Sequence, residues 1–190
     1  MAAFFFTAIV KDDERAFLTR DGRFERILGP GRFTQFDPAG RLKAELVKVV
    51  RAELAPEKAL VLEKTHPQLA EQNLVMVQTG ANEVAIVSFD GEAKHLVVPN
   101  STRAFWKTLT QVDVETIDAG AAPRVAKRHL DKMDVTRNTL VTFAVVEAHE
   151  AGLLFIDGKL IERLPAGRHA FWAVGPTVRI QKGETRPTPL

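Results

Sequence analysis

Acidic residues recur at set places in this chain. Asp21-Gly22, Asp90-Gly91 and Asp157-Gly158 each put one carboxylate beside a glycine. A hard cation collects about six to eight oxygens, so one carboxylate per turn is not a coordination set. Asp-Gly between two apolar runs is instead a strong hairpin signal, because a type I′ turn needs positive φ at both central residues. Glu14, Glu83 and Glu150 precede the three runs. Converging on a pseudo-threefold axis they would bind a cation; they are read here as solvated strand entries. Arg32 follows Gly29-Pro30-Gly31, and Arg168 follows Pro165-Ala166-Gly167. An arginine at such a corner can grip a phosphate or a partner carboxylate, although a stem packed on the sheet is commoner. The third corner, Pro99-Asn100, carries Ser101 instead, which argues against one function shared by all three. His66, His95, His129, His149 and His169 show no HxxxH or HExxH spacing, so zinc is not expected. There is no GxSxG, P-loop or GxGxxG, and no nucleophile, base and orienter occur together. The expectation is a non-enzyme, with no catalytic, cofactor-binding or metal-binding residues. Arg32, Arg168, Trp106 and Trp172 are the candidate interaction residues.

The elements that position these residues read mostly as strands. Phe4 to Val10 is aromatic and β-branched, which favours a strand. Glu14 to Arg20 and Arg23 to Leu28 flank the first Asp-Gly pair, and Gly29-Pro30-Gly31 breaks the return strand before Arg32 to Phe36. Leu42 to Val50 is read as a strand by comparison with Gln111 to Ile117 and Thr177 to Gln181. Pro56 opens a helix to about Lys64, since proline suits the first helical turn, and Pro67 to Gln72 forms a second. Pro123 to Met133 is expected to be helical too, with a basic face of Lys127, Arg128, His129 and Lys132. That face would suit an anionic membrane, but it is read as a solvated helix face. Leu74 to Gln78 and Leu140 to Val146 are strands, and 184–190 a tail. Phe36, Phe105-Trp106 and Phe171-Trp172 occupy one place in three outlines and are expected in the core; exposed, they would mark a partner surface.

Those three outlines are the strongest signal. ERAFLTRDGRFERILGPGRFTQF (Glu14 to Phe36), EVAIVSFDGEAKHLVVPNSTRAFW (Glu83 to Trp106) and EAGLLFIDGKLIERLPAGRHAFW (Glu150 to Trp172) are spaced by 69 and 67 residues. A set period of this size indicates a tandem repeat. The expected fold is mainly β (α+β): three tandem β-hairpin-rich repeats of about 67–69 residues with short helical inserts, at 1–73, 74–139 and 140–190. They would be beads in a row or one closed pseudo-threefold body. The chain has 190 residues, 45% hydrophobic and 26% charged, an ordinary globular composition. A net charge of +2 is too small to point to nucleic acid. With no cysteine, disulfides and thiolate metal sites are excluded. No stretch approaches the ~20 apolar residues of a membrane-spanning helix, so any membrane contact is expected to be peripheral.

The third unit carries a family resemblance. Glu150, Gly152-Leu153-Leu154-Phe155, Asp157-Gly158-Lys159 and Leu164-Pro165-Ala166-Gly167-Arg168-His169-Ala170-Phe171-Trp172 resemble the opening of the SPFH (stomatin/prohibitin, band 7) domain, most closely that of bacterial slipins. There a glutamate and a GLLFxDGK strand-turn precede RLPPGRHAFW; Ala166 stands where the family has its second proline. The first unit matches less well, and the second loses the Pro-Gly-Arg corner. The resemblance implies a non-enzymatic scaffold or protein-interaction module of a membrane-associated protein. Its partners would be other proteins or copies of itself, without nucleic acid, and its location cytoplasmic or peripheral at the inner face of the membrane. It also implies that the third unit continues into the rest of an SPFH domain, so the chain is expected to be part of a longer protein. A ligand-binding β-barrel or jelly-roll domain is the alternative, to be distinguished by a deep polar pocket beside Arg32 or Arg168.

Overall fold

The computed structural model describes residues 4–130 and 139–184. It is mainly β, with 56% strand against 12% helix, and its sheets are small and antiparallel. The strands are β1 (Phe5–Val10), β2 (Glu14–Arg20), β3 (Arg23–Leu28), β4 (Gly31–Phe36), β5 (Leu42–Lys48) and β6 (Glu53–Leu54). After helices α1 (Pro56–Thr65) and α2 (Pro67–Asn73) come β7 (Leu74–Gln78), β8 (Glu83–Phe89), β9 (Glu92–Val97), β10 (Thr102–Trp106) and β11 (Val112–Asp118). One helical turn, α3 (Lys127–Leu130), precedes β12 (Val141–Val146), β13 (Glu150–Ile156), β14 (Lys159–Leu164), β15 (Gly167–Trp172) and β16 (Val178–Glu184).

Three sheets have the orders β3-β2-β5, β11-β8-β9 and β14-β13-β16, each with a hairpin's first strand in the middle. The hairpins close on Asp21-Gly22, Asp90-Gly91 and Asp157-Gly158, where all six φ angles are positive (49–52° at aspartate, 77–82° at glycine). That is the two-residue type I′ requirement, met by the residues that tolerate it best. Each hairpin also shifts register near its tip, between Leu18 and Thr19, Val87 and Ser88, and Leu154 and Phe155. The remaining strands form the ribbons β1-β4 and β12-β15 and the three-stranded sheet β6-β10-β7.

The chain divides into two compact units, Met1–Met76 with Ala104–Val112, and Val77–Arg103 with Asp113–Leu190. In the first, Phe17, Val49, Leu54, Ala59, Leu62 and Trp106 are among the residues of one core cluster. A second cluster gathers Ala8, Val10, Ala16, Leu18, Leu28 and Leu42. The other unit has one cluster that includes Val84, Ala119, Val125, Ala170 and Trp172, and one of Val146, Leu154, Leu164 and Phe171. Helix α1 starts at Pro56 without a side-chain cap and buries Ala59 and Leu62. No helix among the described residues is long and apolar enough to cross a membrane.

Two local expectations are corrected. Pro123 to Met133 is not one helix: only Lys127–Leu130 is helical, and 131–133 lie outside the described residues. The backbone before α3 is taken by β15, with Arg124 in an antiparallel bridge to Phe171. Val125 N–H donates to Ala170 O at 2.9 Å, and Trp172 N–H to Pro123 O at 2.7 Å. Pairing of these groups outweighs the helix propensity of the segment. The second correction is Phe36, which is 61% exposed rather than in the core.

Candidate functional site

The three strand-entry glutamates share one local role that their residue type alone did not reveal. Glu14 Oε2 accepts the Lys11 N–H at 3.2 Å, Glu83 Oε2 the Gly80 N–H at 2.8 Å, and Glu150 Oε2 the Glu147 N–H at 3.0 Å. In return the Glu14, Glu83 and Glu150 amides donate to the carbonyls of Lys11, Gly80 and Glu147. Each glutamate therefore closes the turn that leads into its own hairpin, as side chains do when they satisfy nearby backbone donors. At Glu150 the carboxylate also receives Lys182 Nζ at 3.2 Å. The Glu147 N–H first, and then Lys182, hold this carboxyl below its ordinary range. The spacing of a turn-closing glutamate three residues after its donor was the signal available in the sequence.

The aspartates work the same way on a smaller scale. Asp157 Oδ1 accepts Thr177 N–H at 2.8 Å, and the Asp157 amide donates to Thr177 O at 2.9 Å. The turn is thereby tied to the start of β16. Asp37, in the β4-β5 turn, receives Leu42 N–H on Oδ2 at 2.8 Å.

Trp106 and Trp172 are both 0% exposed, so neither indole offers a surface to a partner. Trp106 packs 6.0 Å from the Phe17 ring. Arg32 and Arg168 are exposed, and Arg168 lies over the Phe143 ring at 5.6 Å. Arg32 belongs to the first compact unit and Arg168 to the second.

Among the described residues, the large apolar side chains with the greatest exposure lie at β1-β4. The register pairs Phe5 with Phe36, Thr7 with Thr34, and Ile9 with Arg32. All six are exposed and share one face, because side chains alternate across a strand. Phe5 and Phe36 meet edge to face at 5.5 Å, and the Thr7 and Thr34 hydroxyls lie 3.4 Å apart. The opposite face sends Ala8 and Val10 into the core, with Phe6 and Phe33 against them. Single exposed apolar residues need no explanation, but Phe5 and Phe36 in contact, with Ile9 exposed on the same face beyond the threonine pair, form the kind of apolar face that marks contact surfaces.

A second feature is a cleft lined by Arg124, Lys127, Leu130, Arg168 and His169 among others. Two of its basic side chains have partners: Arg124 is paired with Glu162 and lies over Phe171, and His169 Nε2 bonds Pro165 O at 2.8 Å. Beside α3, Glu115 bonds His129 at 2.9 Å and is paired with Arg128. His129 and then Arg128 keep the Glu115 carboxyl below its usual range. His129 is 4% exposed, so it is not part of the solvated basic face expected there; Lys132 lies outside the described residues.

No family model, curated protein or solved structure matches the chain.

Proposed function

We propose that this chain is a non-enzymatic scaffold or protein-interaction module of a slipin- or stomatin-like membrane-associated protein, built as three tandem repeats at 1–73, 74–139 and 140–190. The observation that carries the reading is the near-continuous agreement of Glu150 to Trp172 with the SPFH opening. The repeat arrangement draws support from three sheets that each place β2, β8 or β13 in the middle. Each also has an Asp-Gly turn at positive φ and a glutamate-closed entry. The apolar face at β1-β4 supports contact with proteins or with other copies. Placement at the inner face of a cytoplasmic membrane follows from the family likeness.

Light scattering combined with liposome flotation tests the proposal. A scaffold module is expected to exceed its 21.0 kDa chain mass, or to float with anionic vesicles. A strict monomer that stays with the soluble fraction overturns it.

The second reading, a ligand-binding β domain, is favoured by the cationic cleft beside Arg168. Phosphate titration followed by NMR would then move the Arg168 and Lys127 side-chain resonances saturably; linear drift rejects that reading.

A further inference from the structure

The first compact unit contains a hollow between a sheet and a helix. Its floor is one face of β3-β2-β5. Phe17 and Thr19 alternate onto that face from β2, Phe24 sits opposite Thr19 on β3, and Glu45 opposite Phe17 on β5. Its roof is α1, moored by the buried Ala59 and Leu62. Glu57, Lys58, Val61 and Thr65 recur at helical spacing, so they form one stripe along the hollow. The volume is about 400 Å³, within the ~300–1,000 Å³ of small-molecule sites. The Phe17 and Phe24 rings lie 6.0 Å apart, and the His66 ring meets Phe24 edge on at 4.7 Å. Val61 lines the hollow and is still 59% exposed.

The second unit has a counterpart of the same construction. Val49 N–H donates to Asp13 O, and Ala119 N–H to Asn82 O. Both acceptors directly precede a strand-entry glutamate, so Val49 and Ala119 correspond. Counting back four residues from each aligns Glu45 with Glu115. Counting forward from Glu14 and Glu83 aligns Phe17 with Ile86, Thr19 with Ser88 and Gly22 with Gly91. Each of these residues lines its own hollow. The counterpart is narrower, about 220 Å³. There the sheet carboxylate takes a nitrogen ring from the chain itself: Glu115 bonds the buried His129 at 2.9 Å and is paired with Arg128. In the first unit Glu45 is paired instead with the exposed ammonium of Lys58, and the aromatic floor stays open beside that pair.

The charges along the hollow select the sign of its ligand. Among its lining residues Glu45 and Glu57 oppose the ammonium of Lys58, which Glu45 already engages. Lys43, the next residue on that face of β5, does not line it. The Glu57 carboxylate is therefore placed to meet a cation, and aromatic faces attract cations as well. We propose that this hollow binds a small aromatic molecule with one positive charge, an arylalkylammonium, its ring against Phe17, Phe24 and Val61 and its ammonium toward Glu57. The counterpart holds a similar combination, a ring nitrogen on a sheet carboxylate, within the chain. This small-molecule site is additional to the scaffold reading and does not depend on it.

NMR titration of the full chain tests this, with 2-phenylethylammonium as the ligand and 2-phenylethanol and 3-phenylpropionate as its uncharged and anionic controls. The ammonium is expected to shift the Phe17, Phe24 and Val61 resonances saturably and to bind about tenfold tighter than the alcohol. The propionate is expected to give linear drift. Linear drift with the ammonium overturns the proposal, and so does saturation centred on Ile86 and Ser88. Equal affinity for ammonium and alcohol also overturns it, because the carboxylate then selects nothing. Two substitutions at exposed positions complete the test. Glu57→Gln is expected to reduce the preference for the ammonium to about twofold, the share left to the aromatic faces, with the alcohol's affinity unchanged; an undiminished preference rejects the proposal. Val61→Trp is expected to fill the hollow and abolish saturable shifts at Phe17 and Phe24, and shifts that persist reject it too. Circular dichroism checks that each variant folds, and Val61→Phe takes the place of Val61→Trp if that chain does not.

Discussion

Glu150 couples the third hairpin to pH. Its carboxylate holds the Glu147 amide and Lys182, and its pKa lies below the ordinary 4.5. A folded-state pKa below the unfolded one means the unfolded chain binds more protons in that window. The stabilisation is therefore complete above the ordinary glutamate value and is lost as pH falls through the lowered one. Glu150→Gln keeps an acceptor for the amide but removes the charge. It is expected to melt below wild type at pH 7, with the gap closing on acidification through the carboxylate range. A gap that is constant with pH, read by circular dichroism melts, contradicts this. Gly152 is a residue-scale constraint of a different kind. A Cβ there would sit 3.0 Å from both Leu164 Cβ and Val146 Cγ2, tight enough that these neighbours must shift. Gly152→Ala is expected to cost about 1–3 kcal/mol through overpacking, measured by urea denaturation. This is also the glycine that opens the GLLF stretch, so its place in that pattern has a packing reason.

At the level of elements, the hairpin turns are set by backbone conformation rather than by space. Gly158 has φ +77° with nothing within 4 Å of an added Cβ, while Gly183 on β16 has equally open space and no positive φ. Gly158→Ala is expected to destabilise by about 1–3 kcal/mol. Gly183→Ala is expected to be neutral or to stabilise by about 0.4–1 kcal/mol through the unfolded chain. Equal effects in urea titrations would show that the turn does not select glycine. This difference also explains what could be read in advance. Asp-Gly turns, the strand alternation around them and the Pro56 helix start are local signals, and the structure places them at β2-β3, β8-β9, β13-β14 and α1. The two-residue β6 has no period to detect, and it exists because Trp106 and Ala104 need partners. The segment from Pro123 carries helix-forming residues, yet β15 claims its first groups. Phe36 has the same local pattern as Trp106 and Trp172 but is exposed. What separates them is a covering segment, which belongs to tertiary structure. The glutamate turn closures were legible as a spacing, but their chemistry emerged only from the bonds.

On the scale of the whole molecule, the two tryptophans anchor separate cores. Trp106 sits with Phe17, Leu54 and Leu62, and Trp172 with Val84, Val125 and Ala170; the two clusters share no residue and belong to different compact units. Sites without shared partners add in free energy to within about 0.3–0.5 kcal/mol. Trp106→Phe and Trp172→Phe are each expected to cost about 0.5–3 kcal/mol. Trp106 should lie at the low end, because its buried Nε1 has no hydrogen-bond partner among the described residues and phenylalanine removes that donor. Since the chain has two tryptophans, each variant leaves one as a reporter: Trp172 follows the second unit when Trp106 is replaced, and Trp106 follows the first when Trp172 is replaced. Urea unfolding should then show the midpoint reported by the remaining indole staying near the wild-type value, while circular dichroism records the earlier loss of the substituted unit. The double variant, followed by circular dichroism, should lose the sum of the two single losses. A deviation above about 1 kcal/mol would mean that the cores are coupled as neighbours are, and the division into two units would not describe how the chain unfolds.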